Sequence, residues 1–350
     1  MTSCGDLRIL FRAAAGPRRG FGHLVRCRSL ARALGVRPLV ALRGGSRVVE
    51  TALALGCDVI HGSASRVLRR LQPDVLIVDD PVAADARRWM RAARRVGSLV
   101  VSVHDLGLGC LDADLVIDGS ITKNARARNG LTLAGPKYAV LDPSVGRSVR
   151  LPASAGGFGE ARPSARRARR RQPDHGEERD PYSVLVALGG GPRAELANDI
   201  AEAIVDANPR ARVRIAGGFA GIAREEAARI AWIGPSRNLH VEMARASVAV
   251  VGGGVSLYEA CAHGVAAVGV PVVAAQRPTV TAFVKRGVAR GVTGGRVSAR
   301  SVAAECAELL TDEAMRRHIA RMGQKLIDGR GAFRAAAAVS RLARRRSVRL

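Results

Sequence analysis

Three times along this chain an apolar run ends in glycines and gives way to helical spacing. The first case is residues 7–11, then Gly20-Phe-Gly22-His23, then 24–34, where Leu24, Leu30, Ala31 and Leu34 recur with the helical period. The second runs Val248-Ala-Val-Val-Gly252-Gly253-Gly254-Val-Ser256-Leu-Tyr-Glu259. The third is Leu185-Val-Ala-Leu-Gly189-Gly190-Gly191-Pro192. A strand, a glycine turn and a helix start form one unit, and that unit needs parallel strands beside it. Glycines let a ligand approach the backbone, and a helix N-terminus offers free N–H groups to an anion. None of the three is a Walker A loop, because no Gly-Lys-Ser/Thr follows the glycines. Val25 stands where a full dinucleotide fingerprint would place its third glycine.

The strand–helix rhythm extends over most of the chain. Strands are predicted at 7–11, 38–42, 75–78, 99–103 and 115–117, with helices such as 47–55 and 83–96 between them. It restarts with strands at 183–188, 212–216, 231–233, 248–251, 266–270 and 291–293. Helices are predicted at 195–206, 222–228, 239–245, 256–263, 280–286 and 299–310. The expected fold is α/β, with two doubly wound Rossmann-like domains facing each other across a cleft. The first spans 1–145 and carries the catalytic turn; the second spans 182–340 and binds the nucleotide. Residues 146–181, rich in Gly, Pro and charge, are expected to form a disordered linker or insertion, with His175 solvated inside it. Residues 341–350 are read as a solvated basic tail, with contact to acidic lipid as the other reading.

The chain has 350 residues, enough for two cores, and a net charge of +26. Of its 56 basic residues, 52 are arginine, a bias that resembles codon drift as much as selection for a partner. Aromatics are only 3%, so no basic surface with interleaved aromatics points to specific nucleic-acid binding. The six cysteines form no C-x-x-C pair, which argues against a zinc site or disulfide framework. No apolar run is long enough to span a bilayer, so a soluble, cytoplasmic protein is expected.

His23, between a glycine turn and a helix start, is the candidate general base; a backbone-bonded loop histidine is the alternative. Gly20 and Gly22 shape that turn. Arg26, one turn later, faces either a diphosphate or solvent. Gly189, Gly190, Gly253 and Gly254 are candidates for close backbone approach. Ser256 sits where an N-cap belongs, and Glu259 three residues on either closes a capping box or accepts two ribose hydroxyls. Gln276 could meet the ligand from the neighbouring loop. His104 and Asp105 follow a strand and face the cleft or form a turn. His263 is read as a helix-end histidine. Asp79 and Asp80 are adjacent in a strand and point to opposite faces, which disfavours joint metal coordination. No metal or cofactor is expected, and oligomeric state is open.

The order of several blocks resembles a known family. These are Phe11-Arg12 with Gly20-Phe-Gly-His-Leu-Val-Arg-Cys27, Gly135-Pro-Lys-Tyr-Ala-Val-Leu141, residues 185–191, residues 246–276, and Ile327-Asp-Gly-Arg-Gly-Ala-Phe-Arg334. Together they are similar to bacterial hydrolases of UDP-2,4-diacetamido-2,4,6-trideoxy-β-L-altropyranose in pseudaminic acid synthesis, and to spore-coat polysaccharide relatives of GT-B fold. The resemblance implies metal-independent cleavage of a UDP-linked acetamido sugar with inversion, His23 helping water attack. It also implies that Gly253, Gly254, Ser256 and Glu259 hold UDP. A GT-B glycosyltransferase, or a binder without turnover, are the alternatives. The chain departs from the family pattern at Ala14, Pro81, Pro192 and Ala275, where groups that orient sugar or water are replaced.

Overall fold

The computed structural model describes residues 7–16, 20–104, 110–122, 125–148, 179–189, 193–217, 229–234 and 239–347. The linker residues 149–178, the helix expected at 222–228, Asp105, His175, Gly190 and Pro192 lie outside them.

Among the described residues, nine strands belong to the first half: β1 (Ile9–Ala14), β2 (Leu39–Arg43), β3 (Asp58–Ile60), β4 (Val75–Asp79), β5 (Leu99–His104), β6 (Cys110–Leu111), β7 (Leu115–Asp118), β8 (Arg126–Ala127) and β9 (Leu131–Ala134). Seven of them form one sheet in the order β3-β2-β1-β4-β5-β7-β9, and every pairing in it is parallel. β6 and β8 pair separately. The connecting helices are α1 (Gly22–Leu34), α2 (Ser46–Ala54), α3 (Ala64–Leu71) and α4 (Ala83–Arg95), followed by the short α5 (Pro143–Ser148). β1 and β4 read as continuous apolar runs because helices cover both faces of the sheet. Phe11, Leu24, Leu30 and Ile77 fill one side, and Leu10, Leu68, Leu76 and Trp89 the other.

The second half repeats the plan. Its strands are β10 (Ser183–Ala187), β11 (Arg212–Ala216), β12 (Ile230–Ile233), β13 (Val248–Gly252), β14 (Ala266–Val270) and β15 (Arg290–Gly291). They form a parallel sheet in the order β12-β11-β10-β13-β14-β15. Around it pack α6 (Ala194–Ala207), α7 (Leu239–Arg245), α8 (Val255–Ala262), α9 (Arg277–Lys285), α10 (Ala299–Thr311) and α11 (Glu313–Leu326). The two halves touch directly. Ile121, Ala139, Leu141 and Val145 share a core with Leu257, Tyr258 and Phe283. Tyr258 lies edge-on to Phe283, and its hydroxyl accepts the Ile121 N–H at 3.0 Å.

The last helix, α12 (Gly331–Ser347), departs from the sequence expectation. Chain order assigned 331–340 to the second domain and 341–350 to a solvated tail. Instead Ala332, Ala335, Ala336, Val339 and Ala343 enter the first domain's core beside α1. Arg346 also reaches the Ser98 carbonyl. The helix buries its alanine face in the cluster that also holds Leu24, Cys27, Leu30, Ala31 and Leu34 of α1. Its entry is fixed by Gly331, where a Cβ would lie 2.1 Å from the Ala139 carbonyl oxygen. Arg334 pairs with Asp328 and donates to the Lys137 carbonyl at 2.8 Å. Two of the family-like blocks, 135–141 and 327–334, thus meet at this joint.

Candidate functional site

Each sheet reverses its strand order once, between β1 and β4 in the first and between β10 and β13 in the second. Crevices at such points, at the carboxyl ends of the strands, receive ligands in doubly wound folds. The glycine turn and α1 follow β1; Asp79 ends β4, paired with Ala13 of β1. Gly189 follows β10, and Gly252 to Gly254 follow β13. Gly22 and α8 approach across the cleft: a Cβ on Gly22 would lie 3.6 Å from Val255 Cγ2. Two helix N-termini therefore converge. Neither has a side-chain cap or an acidic residue in its first turn. Their first-turn N–H groups have no partner within their helices.

His23 is the second residue of α1, and its Nδ1 lies 2.7 Å from Asp79 Oδ1. Arg26, one turn on, clamps the same carboxylate: Nε donates to Oδ2 at 2.8 Å and Nη2 to Oδ1 at 2.7 Å. Nη2 is also 2.8 Å from His23 Nδ1. Side-chain exposure is 13% for His23, 6% for Arg26 and 2% for Asp79, so the imidazole is the part of the trio nearest solvent. Burial opposes the Asp79 charge, but Arg26 and His23 outweigh it and hold the carboxyl well below the usual range. Arg26 is therefore placed on Asp79, which is neither of the two positions, solvent or a diphosphate, that the sequence left open. Asp80 points the other way, as alternation requires, and pairs with Arg12 at 2.9 Å beneath Trp89.

The glycine turn before His23 is closed by paired backbone bonds between Gly16 and Gly20. Gly20 has φ +76°, a conformation that favours glycine. Gly189 has φ +99° and is exposed at the end of β10. In the loop after β13 the two candidate glycines differ. The Gly253 N–H is already used by the Val270 carbonyl at 3.1 Å and by Gln276 Oε1 at 3.2 Å. A Cβ there would meet Val280 Cγ2 at 2.6 Å, so this glycine is required for packing. Gly254 is the N-cap of α8, and the nearest atom to a Cβ on it is Gln276 Nε2 at 3.5 Å. Gln276 staples the loop, its Oε1 also accepting from the Val272 N–H at 3.1 Å.

The Ser256–Glu259 capping box, one of the two readings of Glu259, does not form, because α8 begins one residue before Ser256 with Gly254 as its cap. Ser256 lies in the first turn, and Glu259 sits one turn into the helix, half-buried. The Glu259 carboxylate has no hydrogen-bond partner among the described residues. Burial, and then the nearby negative charge of Asp142, push its carboxyl up to about 7. His263 caps the C-terminus of α8, as a helix-end histidine should, and stacks on His240. Among the described residues no group of three His, Cys, Asp or Glu side chains is arranged to hold a metal.

Sequence reasoning took Asp79 only as half of an unlikely metal pair. Its place beside His23 depends on β1 and β4 being sheet neighbours although two strands separate them in the chain. The legible signal was Val-Asp at the end of a central strand, together with the usual doubly wound strand order.

Solved structures share this two-domain arrangement across their whole length. One is the spinosyn rhamnosyltransferase SpnG complexed with thymidine diphosphate, with TM-score 0.61 and 15% identity over 96% of this chain and all of that one. The fold is GT-B. A second GT-B match is MurG of Acinetobacter baumannii, with TM-score 0.62 and 12% identity over 95% of this chain and 99% of that one. Residues 191–327, most of the second GT-B domain, match the family model for UDP-glucoronosyl and UDP-glucosyl transferase. By sequence the chain is 24% identical to the spore coat polysaccharide biosynthesis protein SpsG of Bacillus subtilis (strain 168), over 93% of this chain and 95% of that protein. No described helix of this GT-B chain is long and apolar enough to cross a membrane.

Proposed function

We propose that this chain is a glycosyltransferase that binds a UDP-linked sugar in its cleft and passes the sugar, with inversion, to a hydroxyl group. The observation that carries this reading is the His23–Asp79 pair at the start of α1, placed opposite the uncapped N-terminus of α8. The match of the second domain to a UDP-sugar transferase family supports the nucleotide. The similarity to a spore-coat polysaccharide protein supports a polysaccharide context. Backbone N–H groups of Gly254, Val255 and Ser256, with Gly189 after β10, receive the diphosphate. Glu259 accepts the ribose hydroxyls. His23 Nε2 takes the acceptor proton as the acceptor oxygen attacks the anomeric carbon. The anomeric C–O bond breaks on the opposite face, and UDP leaves with the electron pair, stabilised by the helix ends.

A second reading has water as the acceptor, giving hydrolysis of a UDP-acetamido sugar as the family resemblance implies. The approach of Gly22 to Val255, with the Ile121 N–H donating to the Tyr258 hydroxyl, brings the two halves together near His23, which suits a small acceptor. One experiment separates the two. UDP release is measured from a panel of UDP-acetamido and UDP-hexose donors, with and without sugar acceptors, beside His23→Ala. Release that needs an acceptor and vanishes in the variant supports transfer. Acceptor-free release replaces transfer by hydrolysis. UDP binding with no release under either condition sinks both.

A further inference from the structure

We propose that Tyr258 is a positioning residue: its hydroxyl, bonded to the loop after β7, sets how far the N-terminal end of α8 stands from His23. The inference rests on the proposed transfer across the cleft, but one of its readouts involves no turnover.

In that reaction the donor is held by the second domain and the base belongs to the first. Contacts across the cleft therefore set the gap between them. Val255 and Tyr258 are three apart on α8 and share a face. Val255 lies opposite Gly22 at the start of α1, where a Cβ would stand 3.6 Å from its Cγ2. Tyr258 reaches the first half one turn on, its hydroxyl accepting the Ile121 N–H at 3.0 Å. Ser256 and Glu259 are the next residue after each, on the adjoining face of the helix. Holding the first pair thus fixes the rotation and the slide of the helix that carries the second. A recess of about 20 Å³, room for one water, has Arg26, Val103 and Val140 on one side and Val255 and Tyr258 on the other. Arg26 also clamps Asp79, the partner of His23, so this joint abuts the trio directly.

Both ends of the bond are braced. Asp118 ends β7, and its buried carboxylate accepts the N–H and the hydroxyl of Ser120 and the N–H of Ala125. Gly119 runs so close to Ala139 that a Cβ would lie 2.5 Å from its Cα. Ile121 is presented from this tied segment and is itself buried. On the other side the Tyr258 ring meets Phe283 edge-on, with centroids 4.9 Å apart. The ring alone fills the apolar joint. The hydroxyl adds a directional bond, and without it the buried Ile121 N–H would lose its acceptor. A displacement of about 1 Å between reacting groups can cost about 100-fold in rate, so a joint of this kind matters to the chemistry.

The test compares wild type with Tyr258→Phe, Asp118→Asn and the double variant, all as the full chain. Tyr258→Phe keeps the ring on Phe283 and removes the acceptor. Asp118→Asn loosens the loop and leaves Tyr258 in place. Each should lower kcat for UDP release by about 10–100-fold. UDP affinity by calorimetry should stay within about twofold, since the groups proposed to hold UDP all sit on the second domain. The double variant should be no slower than the slower single variant, because both act through one bond. A merely structural role would lower thermal stability and leave kcat per folded molecule unchanged. The readout without turnover is the distance between spin labels at the exposed positions Arg91→Cys and Glu202→Cys, in a Cys4→Ser/Cys110→Ser background. Its distribution should be narrow with Tyr258 and broader in Tyr258→Phe. Unchanged kcat, a loss of UDP affinity that matches the loss of kcat, multiplying effects in the double variant, or an unchanged distance distribution overturns the inference. If wild type turns over no donor, the proposed function fails on its own, and a broadened or unchanged distribution then upholds or overturns the joint.

Discussion

Asp79 is held ionised against its burial, and that state has a stability consequence. Its carboxyl lies well below the ordinary range in the folded chain, so it stabilises the fold at any pH above the ordinary carboxylate range. The contribution fades as the pH falls below about 4 towards the folded value. Asp79→Asn strands the buried Arg26 charge and should destabilise the protein by about 3–5 kcal/mol at neutral pH. Denaturant titrations should show the gap to wild type closing only in acid. Glu259 behaves in the opposite sense, being raised to about 7 in the free protein. If its carboxylate receives the ribose, binding must remove a proton below that pH. UDP affinity should then fall by about tenfold per unit below pH 7. Glu259→Gln should bind weakly and lose that dependence, which calorimetry at several pH values would show. The residue types at both positions were legible in the sequence. Their environments were not, because burial and opposing charge come from elements distant in the chain.

At the scale of elements, the loop between β13 and α8 divides its work between adjacent glycines. Gly253→Ala drives a methyl into Val280 at 2.6 Å and should cost about 1–3 kcal/mol of stability. Gly254→Ala meets Gln276 at 3.5 Å, an ordinary contact, so thermal unfolding should barely change. Its effect should appear in UDP affinity, since the methyl stands beside the N–H groups proposed to receive the diphosphate. Equal losses of stability in the two variants would contradict this division. The strand–glycine–helix pattern was readable directly, and β13 and α8 appear where the spacing put them. The helix start was misread because Ser-x-x-Glu is a local signal. The chain turns into the helix earlier, where a glycine with no side chain suffices as cap. Strand β3 is short and only partly buried, too weak an apolar run to announce itself.

For the whole molecule, the informative departure is α12. Periodicity can state that a segment is amphipathic, but not which of two similar cores receives it. Ala332, Ala335, Ala336, Val339 and Ala343 complete the first domain from the far end of the chain. Removing them exposes α1 and forfeits about 5 kcal/mol of apolar burial. A chain ending at Arg330 should therefore be cut rapidly by protease in its first domain while its second domain stays resistant. Equal resistance of both domains would show that α12 is dispensable. The two sheets themselves were visible in the alternation of strands and helices, since each carries its own run of parallel units.

The position of α12 also sets an order of events during synthesis. The ribosome finishes the first sheet long before it makes the helix that covers it. At ordinary elongation rates the interval from α5 to α12 is on the order of 10–40 s. Through that time the exposed side of α1 has no permanent cover, while the second domain emerges with its core elements consecutive. A nascent chain that stops early would leave the half bearing His23 unfinished, and so open to the cell's proteases. Translating through α12 is thus the step that makes the half bearing His23 durable.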